Sequence, residues 1–231
     1  MSARLVIAID GPGGSGKSTL AERLARDLRL PYVNTGMMYR AVAREARRRD
    51  VSPDDEAALE EIARNLRFEL SSGSSMPVLT IDGAPPRWDL SAQEVEATVS
   101  RVSSHPKVRS VLRSSQRRLG SGGGVIEGRD IGSVVFPEAD VKVFLDAAPD
   151  VRASRRIEER TGTPPRHREG EEPIAEALAA RNAADERTTP FVPPDDALVL
   201  DTSRMGADEV FEAVLDAVRE RMAEGPRSAG P

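Results

Sequence analysis

Apolar positions along the chain follow two alternating patterns. Short uninterrupted apolar runs are separated by longer stretches in which apolar residues recur every three or four positions. The first run, Arg4-Leu-Val-Ile-Ala-Ile-Asp10, is rich in β-branched residues and breaks at once into Gly-Pro-Gly-Gly-Ser-Gly. This predicts a strand buried on both faces that enters a tight loop. Residues 18–30 then place Leu20, Leu24 and Leu28 on one helical face, with Ala21 and Ala25 beside them. A short strand is predicted over 31–34 and an arginine-rich helix over 36–49, for which Thr35 is available as N-cap. Ser52-Pro53 opens a further helix with acidic residues in its first turn, as the helix dipole favours.

The pattern changes near Phe68. Phe68-Glu-Leu70 and Val78-Leu-Thr-Ile-Asp-Gly83, separated by a Ser/Gly tip, read as a β-hairpin, followed by helices over 92–103 and 106–119. A Gly/Ser run over 120–124 returns the chain to three buried-strand candidates: Val125-Ile126, Val141–Leu145 and Ala197–Leu200. The last helix, over 207–224, carries Phe211, Val214, Val218 and Met222 on one stripe. Strands alternating with helices predict an α/β fold: a parallel sheet with crossover helices on its faces. The expected organisation is a core of residues 1–66 and 124–224, an insert over 67–123 and a disordered tail over 225–231. An Arg/Pro-rich excursion, about 157–175 within the core, has the character of a lid.

Composition narrows the function. The chain has 231 residues and a formal net charge of −5, which argues against an obligate nucleic-acid binder. No apolar run reaches the ~20 residues of a membrane span, and the start is too soon polar for a signal peptide. The chain has no cysteine, which excludes a disulfide scaffold and a thiolate site and fits a reducing compartment. A cytoplasmic location is expected. Only Lys17, Lys107 and Lys142 are lysines among 33 basic residues, so placement has to sort functional arginines from solvated ones.

The chemistry begins at Gly11-Pro-Gly-Gly-Ser-Gly16-Lys17-Ser18, a full G-x-x-x-x-G-K-[ST] phosphate loop between a strand and a helix. Its residues Gly11, Pro12, Gly13, Gly14, Ser15 and Gly16 through to Thr19 are expected to wrap the phosphates of ATP, with every one but Pro12 able to offer a backbone N–H. Lys17 reaches the β- and γ-phosphates, and the Ser18 hydroxyl ligates Mg²⁺. The overlapping dinucleotide pattern Gly11, Gly13, Gly16 wants an acidic residue at the end of the second strand, where Asn34-Thr35 stand instead. A GTPase would want N-K-x-D, and Asn182-Ala-Ala-Asp185 lacks the lysine. Three arginine placements lie beyond predicted strand ends or on an apolar stripe: Arg40 after Thr35, Arg129-Asp130 after Val125-Ile126, and Arg181 with Asp185 at i,i+4. Asp146, ending a strand, reads either as a helix N-cap or as part of a metal shell through water.

The segments Asn34-Thr-Gly-Met-Met-Tyr-Arg40, Ser91-Ala-Gln-Glu-Val95, Pro106-Lys-Val-Arg109 and Glu127-Gly-Arg-Asp-Ile-Gly-Ser-Val-Val-Phe-Pro-Glu-Ala139 resemble the bacterial cytidylate kinases. These belong to the P-loop nucleoside monophosphate kinases. The resemblance implies transfer of the γ-phosphoryl group of ATP to CMP or dCMP by a monomer with an insert for the acceptor and a lid. A kinase for UMP or AMP and a P-loop regulatory ATPase are the alternatives. By position, the resemblance gives Arg40 and Arg129 to the acceptor phosphate, Ser100 and Arg109 to cytosine, and Thr35, Arg181 and Asp185 to the ribose. Asp130 supports the base end. Arg155 and Arg156 stand in the lid stem over the transferring phosphates, so Lys17, Arg129, Arg155 and Arg156 form the expected catalytic set. Arg187 completes the acceptor set, although it follows Asp185 by two residues where the family spaces the pair by three. Ser91 stands where the family has arginine, and the lid sequence 161–173 is unusual. The base assignment makes chemical sense. A guanidinium donates to the O2/N3 edge of cytosine and a hydroxyl accepts from its amino group, whereas uracil sets a donor against a donor, a mismatch worth on the order of 10⁴-fold.

Overall fold

The computed structural model describes residues 4–73, 76–86, 93–162 and 171–224. The expected tail, the tip of the lid excursion, Ser91 and His167 lie outside the described residues. Five parallel strands form the main sheet in the order β2-β5-β1-β6-β7: β1 (Val6–Asp10), β2 (Tyr32–Asn34), β5 (Gly124–Glu127), β6 (Val141–Asp146) and β7 (Leu198–Asp201). β1 is central and buried at all five positions, which is why it reads as an unbroken apolar run. Register places Ile9 beside Glu127 on one side and Val143 on the other, so the strands end together. In an open parallel sheet, ligands bind beyond those carboxyl ends.

On one face α1 (Lys17–Leu28) and α8 (Ala207–Ala223) cover the sheet, with Leu20, Leu24, Phe211, Val214 and Val218 packed on Ile7, Ile9 and Val143. Met222, predicted on that stripe, is exposed because the last turn of α8 runs past the sheet. The other face is covered by α2 (Thr35–Arg48), α3 (Glu56–Asn65), α4 (Gln93–Ser104) and α5 (Pro106–Gly120). The hairpin β3 (Phe68–Leu70) and β4 (Leu79–Ile81) is antiparallel, and Phe68 and Leu79 enter the same apolar cluster as Val33, Val99 and Leu112. No break in packing separates the insert helices from α2 and α3. α6 (Pro149–Thr161) and α7 (Glu171–Thr188) flank the lid excursion. Among the described residues, no helix is long and apolar enough to cross a membrane.

Two helix starts differ from expectation. The N-cap of α2 is Asn34, whose side chain accepts from the Met37 amide, and Thr35 is already helical. α3 begins at Glu56 because Asp55 caps it by accepting from the Ala58 amide, which leaves Ser52-Pro53 in the preceding turn. The competition between propensity and packing is sharpest at Gly120, the last residue of α5. Alanine there gains up to about 1 kcal/mol of helix propensity. Its Cβ, however, would stand 2.5 Å from the ring of buried Phe136 and 3.2 Å from Ile126. Overpacking of this kind costs about 1–3 kcal/mol. Gly120→Ala is therefore expected to lower the melting temperature by several degrees in calorimetry, and a rise would show that Phe136 gives way freely.

Candidate active site

The loop after β1 wraps back over the carboxyl ends of the strands. Gly11 has φ +143°, and a Cβ there would meet the Leu145 carbonyl oxygen at 2.0 Å. At Gly14, with φ +81°, a Cβ would meet the Arg152 carbonyl oxygen of α6 at 2.6 Å. Only glycine allows this curl. Gly16 occupies the N-cap of α1 with no side chain over it, so the first amides of the helix face open space. The Gly13 amide is taken by the Asn182 side chain of α7 at 3.0 Å, which ties the second flanking helix to the loop. Lys17 Nζ donates to the Pro12 carbonyl at 2.6 Å. Burial pushes its ammonium down to about 7, helped by the nearby Arg129 charge and opposed by Glu127 and Asp10.

Two clefts meet at this loop and share Gly14, Lys17, Ser18 and Glu159 as their common wall. The first, about 180 Å³, is lined by Thr35, Tyr39, Arg40, Ser103, Arg109, Arg129, Asp130, Arg156, Arg181 and Asp185. These come from six elements and loops that the sequence separates by up to 150 residues. The second is lined by the loop, Leu20, Leu145, Met205, Val210, Arg23 and Arg155. It is the more apolar mouth and suits a flat base.

Most expected residues converge on the first cleft, but three do not. Arg155 belongs to the second cleft, where its guanidinium donates to the Thr202 hydroxyl at 2.8 Å and carbonyl at 2.7 Å. Ser100 lies behind the first cleft with its hydroxyl on Asp185 Oδ1 at 2.9 Å, and Ser103, one turn on, lines the wall instead. Arg187 is exposed, because a residue two positions after Asp185 projects from the opposite side of the helix. Thr188, three positions on, faces the cleft. Asp146 is not a helix cap either. Ala148 precedes α6, while Asp146 is exposed and accepts from its neighbour's amide.

In and around the first cleft, charges are interleaved. Asp130 Oδ2 receives Arg109 at 2.7 Å and Arg113 at 2.8 Å, and Arg109 also donates to the Ser103 carbonyl. Asp185 holds Arg129 at 2.7 Å and lies 3.7 Å from Arg181. Glu96 of α4 receives Arg40 at 2.8 Å, Arg181 at 3.4 Å, and both Arg156 and Arg160. Glu159 pairs with Arg156. Burial, then the neighbouring guanidiniums, lowers Arg40 to about 9; burial lowers Arg181 to about 10 against the pull of Asp185. Both remain charged near neutrality.

Sequence reading missed Glu127, Glu96, Asn182 and Asp10. Glu127 ends β5, is buried, and accepts from Ser18 Oγ at 2.9 Å and from the Tyr32 hydroxyl at 2.5 Å. Burial raises its carboxyl pKa, against the attraction of Lys17. An acidic residue ending a strand opposite Ser18 was the available signal. The Ser18 hydroxyl with the Glu127 carboxylate is a hard-oxygen donor pair of the kind that holds Mg²⁺ beside nucleotide phosphates. The donor chemistry therefore fits the ion. Thr35 Oγ1 donates to the Glu127 carbonyl at 2.7 Å, so this hydroxyl fastens β5 to α2.

Asp10, at the end of β1, supports the arginine-bearing loop. Its two oxygens accept from the Ile131 amide at 2.8 Å and the Gly132 amide at 2.7 Å, the first amides of a π-helical turn over Ile131–Val135. Burial raises its carboxyl from 3.8 to about 6, against those two hydrogen bonds. Between these values the folded chain keeps a proton that the unfolded chain has lost, so this group favours folding at the acid end and loses that effect as pH rises through about 6. In denaturant melts between pH 4.5 and 7.5, the parent should lose stability relative to Asp10→Asn as pH rises. A difference that stays constant would contradict the raised pKa.

A family model described as cytidylate kinase matches residues 7–220. The cytidylate kinase of Acidiphilium cryptum (strain JF-5) is 46% identical over 231 residues, covering 97% of this chain and 100% of the relative. That of Solibacter usitatus (strain Ellin6076) is 40% identical, covering 96% and 95%. That of Chlamydia muridarum (strain MoPn / Nigg) is 39% identical, covering 95% and 100%. On the match over nearly its whole length, the chain belongs to the cytidylate kinase family.

Proposed function

We propose that the protein transfers the γ-phosphoryl group of ATP to CMP or dCMP, giving ADP and CDP or dCDP. Beside family membership, the reading rests on one arrangement. A cleft that starts at the phosphate loop runs past Arg40, Arg129 and Arg181 to a guanidinium, Arg109, fixed by Asp130. That order matches an acceptor laid with its phosphate toward the loop and its base toward α5.

The donor occupies the second cleft, with its triphosphate on the amides after Gly11 and its base against Leu20, Met205 and Val210. Arg155 sits with the donor. Ser18 and Glu127 would hold Mg²⁺, which would supply charge neutralisation at the β- and γ-phosphates. The acceptor phosphate has a second pKa of about 6, so its attacking oxygen is already anionic at neutral pH and needs no general base. The chain's own residues then act by position and charge. Lys17 and the loop amides hold the donor phosphates, and Arg129 and Arg156 border the space between the two substrates. Arg40 neutralises the acceptor phosphate together with Arg181, which the resemblance gives to the ribose but whose guanidinium shares Glu96 with Arg40. The two clefts share a wall at Gly14, Lys17 and Ser18, which brings donor and acceptor phosphates together there.

Arg109 is one-tenth exposed, with its fork tied to Asp130 and the Ser103 carbonyl, so its remaining donors are oriented before substrate arrives. It presents donors to the O2/N3 edge of cytosine, and Asp130 holds it in place. We take the active unit to be a monomer working in the cytoplasm on ATP with Mg²⁺. An ADP-release assay across CMP, dCMP, UMP, AMP and GMP should give its best turnover on a cytosine nucleotide. Arg109→Ala should raise KM for CMP at least tenfold and relax base choice with a smaller change in kcat. Retained base selectivity in that variant would refute the assignment of the base end.

A further inference from the structure

Glu96 holds an unusual position. One carboxylate at the start of α4 receives four guanidinium groups from three helices: Arg40 from α2, Arg156 and Arg160 from α6, and Arg181 from α7. It stands outside the first cleft, on the wall of another cavity that Arg160 and Ile174 also line. Three of its partners, Arg40, Arg156 and Arg181, line the first cleft itself. Its side chain is about 11% exposed, so little water screens it from the guanidiniums it binds.

The charges account for its effect. The five guanidiniums around this end of the cleft face three carboxylates, Glu96, Glu159 and Asp185. Two positive charges are left over, the complement of one dianionic phosphate monoester. Without Glu96 three would be left, and the guanidiniums would repel one another with no counter-charge between them. An arriving phosphate therefore meets a cluster that already has an occupant. It must draw Arg40 and Arg181 forward from a carboxylate behind them.

We propose that Glu96 is a resident counter-anion of the acceptor-phosphate subsite, a positioning residue that holds the arginines assembled and sets acceptor affinity by competing for them. The proposal rests on the reading of this cleft as the acceptor site. The competition acts on the phosphate and leaves the base end untouched, because Glu96 has no contact with Arg109 or Asp130. A purely structural Glu96 would lower stability on removal and leave acceptor affinity unchanged or weaker.

The test is calorimetric titration of the full chain, without ATP, using CMP, cytidine and inorganic phosphate. Glu96→Gln keeps the shape and removes the charge. It should bind CMP and phosphate about tenfold more tightly, bind cytidine as the parent does, and melt at a lower temperature when free. Glu96→Asp keeps the charge but withdraws it by one methylene, and should tighten CMP binding about threefold. It carries the test should the glutamine variant fail to fold. CMP affinity that is unchanged or weaker in the folded variants overturns the proposal, and so does equal tightening of cytidine. Arg181→Gln separates this from the reading beneath it. At least tenfold weaker CMP binding in that variant supports the acceptor site, so a failure at Glu96 would then count against the counter-anion alone. Unchanged CMP binding would overturn the acceptor site and the proposal together.

Discussion

Like charges crowded at one end of a sheet are the constraint from which the rest of this structure follows. Lys17 and five arginines lie within a few side chains of one another beyond the carboxyl ends of β1, β2 and β5. Two unit charges 4 Å apart interact by about 4 kcal/mol at an effective dielectric of 20. The assembly is tolerable because carboxylates alternate with the cations: Glu127 by Lys17, Asp185 by Arg129, Glu96 by Arg40 and Arg181, and Asp130 by Arg109. Burial still lowers Lys17 to about 7 and Arg40 to about 9. Lys17 and five arginines line the first cleft against four carboxylates, Glu127, Asp130, Glu159 and Asp185, so its wall is short of negative charge. Nucleotide phosphates supply it.

The fold delivers these charges through few, short connections. The phosphate loop leaves β1 and is closed by glycine approaches to Leu145 and Arg152. Asp10, the last residue of the same strand, reaches sideways to the π-helical turn that follows Arg129 and Asp130. The central strand thus carries the phosphate loop at its end and, through its last carboxylate, fixes the turn that follows Arg129 and Asp130. α7 joins the same frame through Asn182 on the Gly13 amide and carries Arg181 and Asp185. A change that loosens either tie would shift both substrates together.

Much of this was legible in the chain. The strands appeared as apolar runs because parallel strands are buried on both faces, and the phosphate loop appeared because its glycines, lysine and serine are adjacent in sequence. Arg40, Arg129 and Arg181 were legible from their positions after strand ends and on an apolar stripe. The carboxylates were not. Glu96 and Glu127 contact partners 56 and 109 residues away at the shortest and longest of their side-chain bonds to the site, and no local spacing records such pairings. Arg155 and Arg156 are neighbours in sequence, yet they serve opposite clefts because adjacent helical residues diverge by about 100°. Helical geometry also turned Arg187 outward and gave its place to Thr188, which the two-residue spacing from Asp185 had announced.

A crystal structure of the protein with CMP is the decisive measurement, because each end of that ligand has one assigned place in the first cleft. The phosphate should sit among Arg40, Arg129 and Arg181, with Arg40 drawn toward it from Glu96 and the cytosine edge on Arg109. A phosphate bound elsewhere, with Arg40 still on Glu96 and Arg129 still on Asp185, would contradict that assignment.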